Sequence, residues 1–142
     1  MAIISPDRIS LQAKAADKAD AIRKAGELLV KSGCVLPEYV TGMLTREQSM
    51  STSLGNGVAI PHGMFENREL IKATGLSVLQ LPDGVDWSDD DKVYLVIGIA
   101  AQGDEHVGVL ANLAEAVDDE ERLQDMIHTT DPNVIVQYLE TE

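Results

Sequence analysis

From residue 17 onward, apolar and polar positions follow two rhythms. Over residues 18–32, Ala21, Ile22, Ala25, Leu28 and Leu29 recur at spacings of three and four, which puts them on one face of a helix. Asp17 stands where a carboxylate can accept from the free amides of the first turn, and Gly33 where a helix can end in the left-handed conformation. The same spacing returns at Tyr39, Val40, Met43 and Leu44 and predicts a second helix over residues 37–48, starting on Pro37. Residues 49–57 are polar and glycine-bearing, a loop pattern. Three apolar runs follow, at 58–60, 73–81 and 93–101. The last, VYLVIGIAA, has the continuous character of a strand covered on both faces. Pro82-Asp83-Gly84 predicts a turn after the second run. Asp104 is placed to cap a helix carrying Val107, Leu110, Leu113, Ala114 and Val117. A short helix is expected over 120–127, and a last one over 132–139 with Asp131 as its cap. Helices before, between and after apolar strands indicate an α/β layered domain. No internal repeat, low-complexity tract or linker divides the chain.

Composition narrows the class. A chain of 142 residues fits one domain with a single substantial core, and 44% hydrophobic with 25% charged residues marks it as globular. Eleven Lys and Arg against 24 Asp and Glu give a net charge of −13. Such a surface repels nucleic-acid phosphates and anionic lipid, so the expected partner has a basic or mixed face. The acidic runs at 86–91 (DWSDDD) and 118–121 (DDEE) read as solvated loop and helix surface. No segment is apolar for long enough to span a bilayer, and MAIISPDRIS lacks a basic region followed by an apolar stretch. The expectation is a soluble, cytoplasmic protein without membrane insertion. Cys34 is the only cysteine, which excludes an internal disulfide and a multi-thiolate zinc site; between Gly33 and Val35 it reads as a packed structural thiol.

Candidate chemistry centres on SLGNGVAIPHG, residues 53–63. Pro61 pushes Ile60 towards extended geometry and so continues the short strand up to His62. Gly63, lacking a side chain, leaves room for another backbone or a phosphoryl group. A neutral imidazole is available near pH 7: one ring nitrogen can attack while the other donates to an acceptor that fixes the tautomer. Gly55 and Gly57 flank Asn56 and could turn N–H groups towards an anion. The tripeptide PHG alone favours an ordinary turn residue. His106, in the first turn of the helix behind Asp104, has two open readings: a phosphate-side group at a helix N-terminus, or a surface histidine. Arg46, near the end of the second helix, is either solvated or a guanidinium that spreads the charge of a transferring phosphoryl group. His128, at a helix C-terminus, reads as structural. Histidines at 62, 106 and 128 lack zinc spacing, and neither a P-loop nor a G-x-S-x-G is present, so no metal or nucleotide cofactor is expected.

Glu47, six residues, Leu54-Gly55, two residues, then Val58-Ala59-Ile60-Pro61-His62-Gly63 resembles the full signature of the mannitol/fructose-type EIIA components of the bacterial sugar phosphotransferase system. TGMLTREQSMSTSLGNGVAIPHG, LPDGV, LVIGIAAQGDEHVGVLANLAEAVDDEE and HTTD are similar to the mannitol-specific branch in order and spacing, from Leu36 to the end. The resemblance implies an EIIA type-2 domain over residues 1–142, with a mixed, mostly parallel sheet and helices on both faces. It implies that His62 takes a phosphoryl group on Nε2 from the phosphocarrier HPr and passes it to a cysteine of the mannitol EIIB component. His106 would be the second active-site histidine, and Arg46 the active-site arginine. The chain carries neither EIIB nor a membrane EIIC region, so a free-standing carrier is expected. Asn56-Gly57 resembles the fructose and nitrogen-regulatory branches equally. The alternative is therefore a nitrogen-type regulatory EIIA whose phosphorylation state controls protein partners. A non-catalytic acidic interaction domain fits the full signature poorly.

Overall fold

Asp17 caps the first helix in the computed structural model, which describes residues 4–88, 91–102 and 105–139 (backbone alone at 65, 88 and 105–107). Its carboxylate accepts from the Asp20 amide at 2.8 Å. In chain order the elements are β1 (Ile9–Ser10), α1 (Lys18–Lys31), α2 (Glu38–Ser49), β2 (Val58–Ala59), β3 (Gly75–Ser88), β4 (Asp91–Ala100), α3 (Glu105–Asp118), α4 (Glu120–His128) and α5 (Pro132–Leu139). Short 3₁₀ segments lie at Pro6–Arg8 and Phe65–Leu70. The sheet order is β1-β3-β4-β2, with β1 parallel to β3, β2 parallel to β4, and the central pair antiparallel. This is the mixed, mostly parallel sheet implied above.

The continuous apolar runs are explained by burial on both faces. Leu76, Val78, Leu95, Ile97 and Ile99 meet Leu113, Leu123, Met126, Ile127 and Ile135 from α3, α4 and α5. On the opposite face, Leu79, Leu81, Val96 and Ala100 pack with Ala21, Ile22, Ala25 and Leu29 of α1 and Tyr39 and Met43 of α2. Cys34 belongs to this second core, where its sulfur accepts from Arg8 Nη1 at 3.0 Å. Asp119 caps α4 by accepting from the Arg122 amide, and the acidic side chains 118–121 are exposed as expected.

Several expectations need correction. Pro82-Asp83-Gly84 is not a turn: β3 runs through it to Ser88. Gln80 pairs with Leu95 and the next pair is Val85 with Val93, so residues 81–84 bulge out of register. Proline cannot donate to a ladder, and Gly84 takes φ of 76°; the bulge accommodates both without ending the strand. The last pair of the ladder is Ser88 with Asp91, and residues 89–90 lie outside the described residues. Part of DWSDDD is consequently strand rather than loop: Asp86 is exposed, but Trp87 enters the core. On α3, Ala114 is exposed, whereas Val109, Leu113, Ala116 and Val117 are buried. Leu110, Leu113 and Val117 face inward as expected, Leu110 only partly buried. Val109 and Ala116 join them in place of Ala114, and the Val107 side chain lies outside the described residues. The Asp104 cap lies outside the described residues. β1, with two residues, and the 3₁₀ segments, with three and six, went unread because such short elements carry too few turns or alternations for a periodicity to register.

Candidate functional site

The register of β2 beside β4 determines where His62 lies. Val58 pairs with Leu95 and Ala59 with Val96, and the pairing resumes as a parallel bridge between His62 and Ile99. His62 therefore follows the carboxyl end of β2, level with the end of β4. In open α/β sheets this edge is where ligands meet the chain. The imidazole is half-buried, and its Nδ1 lies 2.9 Å from the Ile60 carbonyl. A carbonyl can only accept, so Nδ1 carries the proton and the neutral ring holds its lone pair on Nε2.

Behind the histidine, the 49–57 loop is built on a buried carboxylate. Glu47, at the end of α2, accepts from the Thr52 amide at 3.1 Å, the Thr52 hydroxyl at 2.5 Å and the Trp87 indole at 3.0 Å; the Lys18 ammonium is 3.7 Å away. Thr52 in turn accepts the Ile60 amide on its carbonyl at 3.0 Å, so the residue whose carbonyl meets His62 Nδ1 is tied back to Glu47 through its own N–H. The glycine segment is committed to the fold. Gly55 N–H donates to Ser53 Oγ, whose hydroxyl donates to Asp91, and Asn56 Nδ2 donates to the Val117 carbonyl. One amide of the expected anion cradle is thus already engaged. Two apolar side chains on this loop, Met50 and Leu54, are exposed at 67% and 41%.

Gly63 does not leave the opening that its lack of a side chain suggested. A Cβ there would lie 2.5 Å from Tyr39 Cε1, so the space belongs to the tyrosine ring. The Tyr39 hydroxyl accepts from the Gly63 amide at 2.8 Å and donates to the Ile99 carbonyl at 2.9 Å. Burial pushes the Tyr39 phenol above its ordinary value of 10.0, against a smaller opposing effect of the Gly63 N–H. Sequence reasoning placed Tyr39 only on the apolar face of α2, and Glu47 only within a motif. A tyrosine at helical spacing gives no signal separating a polar tether from core packing.

Arg46 is half-buried in the last turn of α2, where Nη1 donates to the Met50 carbonyl at 2.7 Å. Such a cation satisfies a free carbonyl at a helix C-terminus and interacts well with the dipole. Arg46 and His62 thus bracket one loop, the first at its start and the second just beyond β2. His106 is the second residue of α3; its side chain lies outside the described residues. The backbone leads to it from β4 through Gln102, whose amide donates to Thr74 Oγ1 at 3.0 Å and whose side chain donates to the Ile71 carbonyl at 3.2 Å. His62 and the start of α3 therefore follow the carboxyl ends of two adjacent parallel strands. His128 is exposed at the end of α4, with Nε2 3.1 Å from Gln124 Oε1, away from this edge. No helix among the described residues is long and apolar enough to cross a membrane.

Residues 2–142 match the family described as phosphoenolpyruvate-dependent sugar phosphotransferase system, EIIA 2. A multiphosphoryl transfer protein of Xanthomonas campestris is 46% identical over 98% of this chain, which spans only 17% of that protein. The mannitol-specific phosphotransferase enzyme IIA component of Geobacillus stearothermophilus is 38% identical, over 98% of this chain and 96% of its own. Among solved structures, a chain from the complex of mannitol enzyme IIA with phosphorylated mannitol enzyme IIB of Escherichia coli superposes with a TM-score of 0.89. It is 43% identical over 95% of both chains. The half-buried imidazole at the sheet's carboxyl edge thus has a family around it: the chain belongs to the EIIA type 2 family of the phosphoenolpyruvate-dependent sugar phosphotransferase system.

Proposed function

We propose that this chain, as one EIIA domain over residues 1–142, carries a phosphoryl group on His62 Nε2 from phospho-HPr to a cysteine of a mannitol EIIB component. The observation that supports it is the Nδ1 contact with the Ile60 carbonyl at 2.9 Å, which leaves the lone pair of the neutral ring on Nε2. That lone pair attacks phosphorus. The new N–P bond forms as the donor's N–P bond breaks, and the electron pair of the broken bond returns to the donor imidazole. In the second step a thiolate of EIIB attacks the same phosphorus, and His62 takes back its electron pair. Phosphoryl transfer has a loose transition state, so the protein contributes mainly alignment and charge stabilisation. Arg46 and His106 serve the second purpose. The exposed Met50 and Leu54 give a docking protein apolar contact beside the loop. Mannitol as the branch follows from the names of the relatives at 38–43% identity over nearly the whole chain.

Incubation with HPr, its upstream kinase and phosphoenolpyruvate should add one phosphate by intact mass. His62→Ala should abolish the gain, whereas His106→Ala should slow transfer by about 100-fold without removing it. A phosphate retained in His62→Ala overturns the assignment. Transfer onward to a panel of EIIB domains identifies the acceptor. Failure with every EIIB, together with phosphorylation-dependent binding to a regulator, would instead favour the nitrogen-type role.

A further inference from the structure

In a regular parallel ladder, the residue opposite Ile99 would be held by two backbone bonds: the carbonyl before it would accept from the Ile99 amide, and the amide after it would donate to the Ile99 carbonyl. The first is present, from Ile99 N–H to the Pro61 carbonyl at 3.0 Å. At the second, the Tyr39 hydroxyl stands between the partners. It accepts from Gly63 N–H at 2.8 Å and donates to the Ile99 carbonyl at 2.9 Å. Both peptide groups flanking His62 are therefore fastened to one residue of β4, one directly and one through a phenol. The ring reaches this place because position 63 has no Cβ, and Tyr39 is only 2% exposed.

We propose that Tyr39 is a positioning residue for phosphoryl transfer: its hydroxyl spaces the chain at residue 63 away from β4 and thereby holds His62 in the conformation that places Nδ1 on the Ile60 carbonyl. The proposal rests on the carrier function given above. A phenylalanine would satisfy the packing equally well, so the hydroxyl has a separate task. Without it, Gly63 N–H and the Ile99 carbonyl either stay unpaired or close on each other directly, which draws the chain at residue 63 towards β4. In both cases the segment carrying the imidazole moves, and the Nδ1 bond that sets the tautomer loosens. Burial keeps the phenol protonated at physiological pH, so the donor to Ile99 is not lost there.

Tyr39→Phe tests this. The variant should still gain one phosphate, but kcat for transfer from phospho-HPr should fall about tenfold with KM within about twofold of wild type. In the unphosphorylated protein, ring ¹⁵N NMR should show His62 leaving the Nδ1–H tautomer for a mixture richer in Nε2–H. A wild-type kcat overturns the proposal. A slower variant with an unchanged tautomer also overturns it, because Tyr39 then only supports the fold. If Tyr39→Phe does not fold, Gly63→Ala, whose methyl presses on the ring from the other side, should show the same tautomer shift. The NMR measurement needs no phosphoryl donor. A wild-type protein that gains no phosphate therefore counts against the carrier function, while the tautomer reports on Tyr39 independently.

Discussion

At the scale of single residues, His62 is confined by a bond from Nδ1 to the Ile60 carbonyl, which leaves Nε2 as the atom proposed to carry the phosphoryl group, and Tyr39 is the side chain that can report on that confinement. The raised phenol pKa has a consequence for stability. A group whose folded pKa exceeds its unfolded value of 10.0 contributes stability that is complete below that value and is lost as pH rises through the folded one. Tyr39→Phe lacks this dependence. The difference in unfolding free energy between wild type and Tyr39→Phe, measured by urea titration, should be constant from pH 7 to about 9 and shrink above about 10. A difference that widens with pH would show that burial does not govern the phenol. His62 stood out in the sequence because proline and glycine bracket it in a specific signature. Tyr39 was not, because a phenol on an apolar stripe looks the same whether its oxygen is tethered or idle. Gly63 misled for a related reason: sequence reveals a missing side chain, but not which neighbour fills the gap.

At the scale of elements, the 49–57 loop holds its shape through one carboxylate. Glu47→Ala would leave Thr52 N–H and Trp87 Nε1–H without their acceptor in a buried place. The expected cost is about 3 kcal/mol, read as a lower urea midpoint at unchanged slope. Phosphorylation of His62 should slow with it, because the Thr52 carbonyl holds the amide of Ile60, the residue whose own carbonyl meets His62 Nδ1. Element type was largely readable. The helices of the first third begin and end within a residue or so of their expected places, since Asp17 and Pro37 mark their starts chemically. The bulge in β3 escaped because Pro-Asp-Gly is turn chemistry wherever it occurs. Only pairing with β4, a non-local fact, decides that the strand resumes beyond it.

At the scale of the whole molecule, a net charge of −13 should steer encounters with a donor that presents a basic face. The second-order rate of transfer from phospho-HPr should drop about tenfold as ionic strength rises to about 0.5 M, while turnover within the complex stays level. A salt-independent rate would remove charge steering from the account. The sheet itself has a further consequence. Both of its outer strands, β1 and β2, are only two residues long, and the rim of β3 is broken by Pro82 and its bulge. Long, flat rims invite a neighbouring molecule to add a strand and seed fibres. Truncating the flanks and kinking the centre removes that template and so protects the protein from sticking to itself.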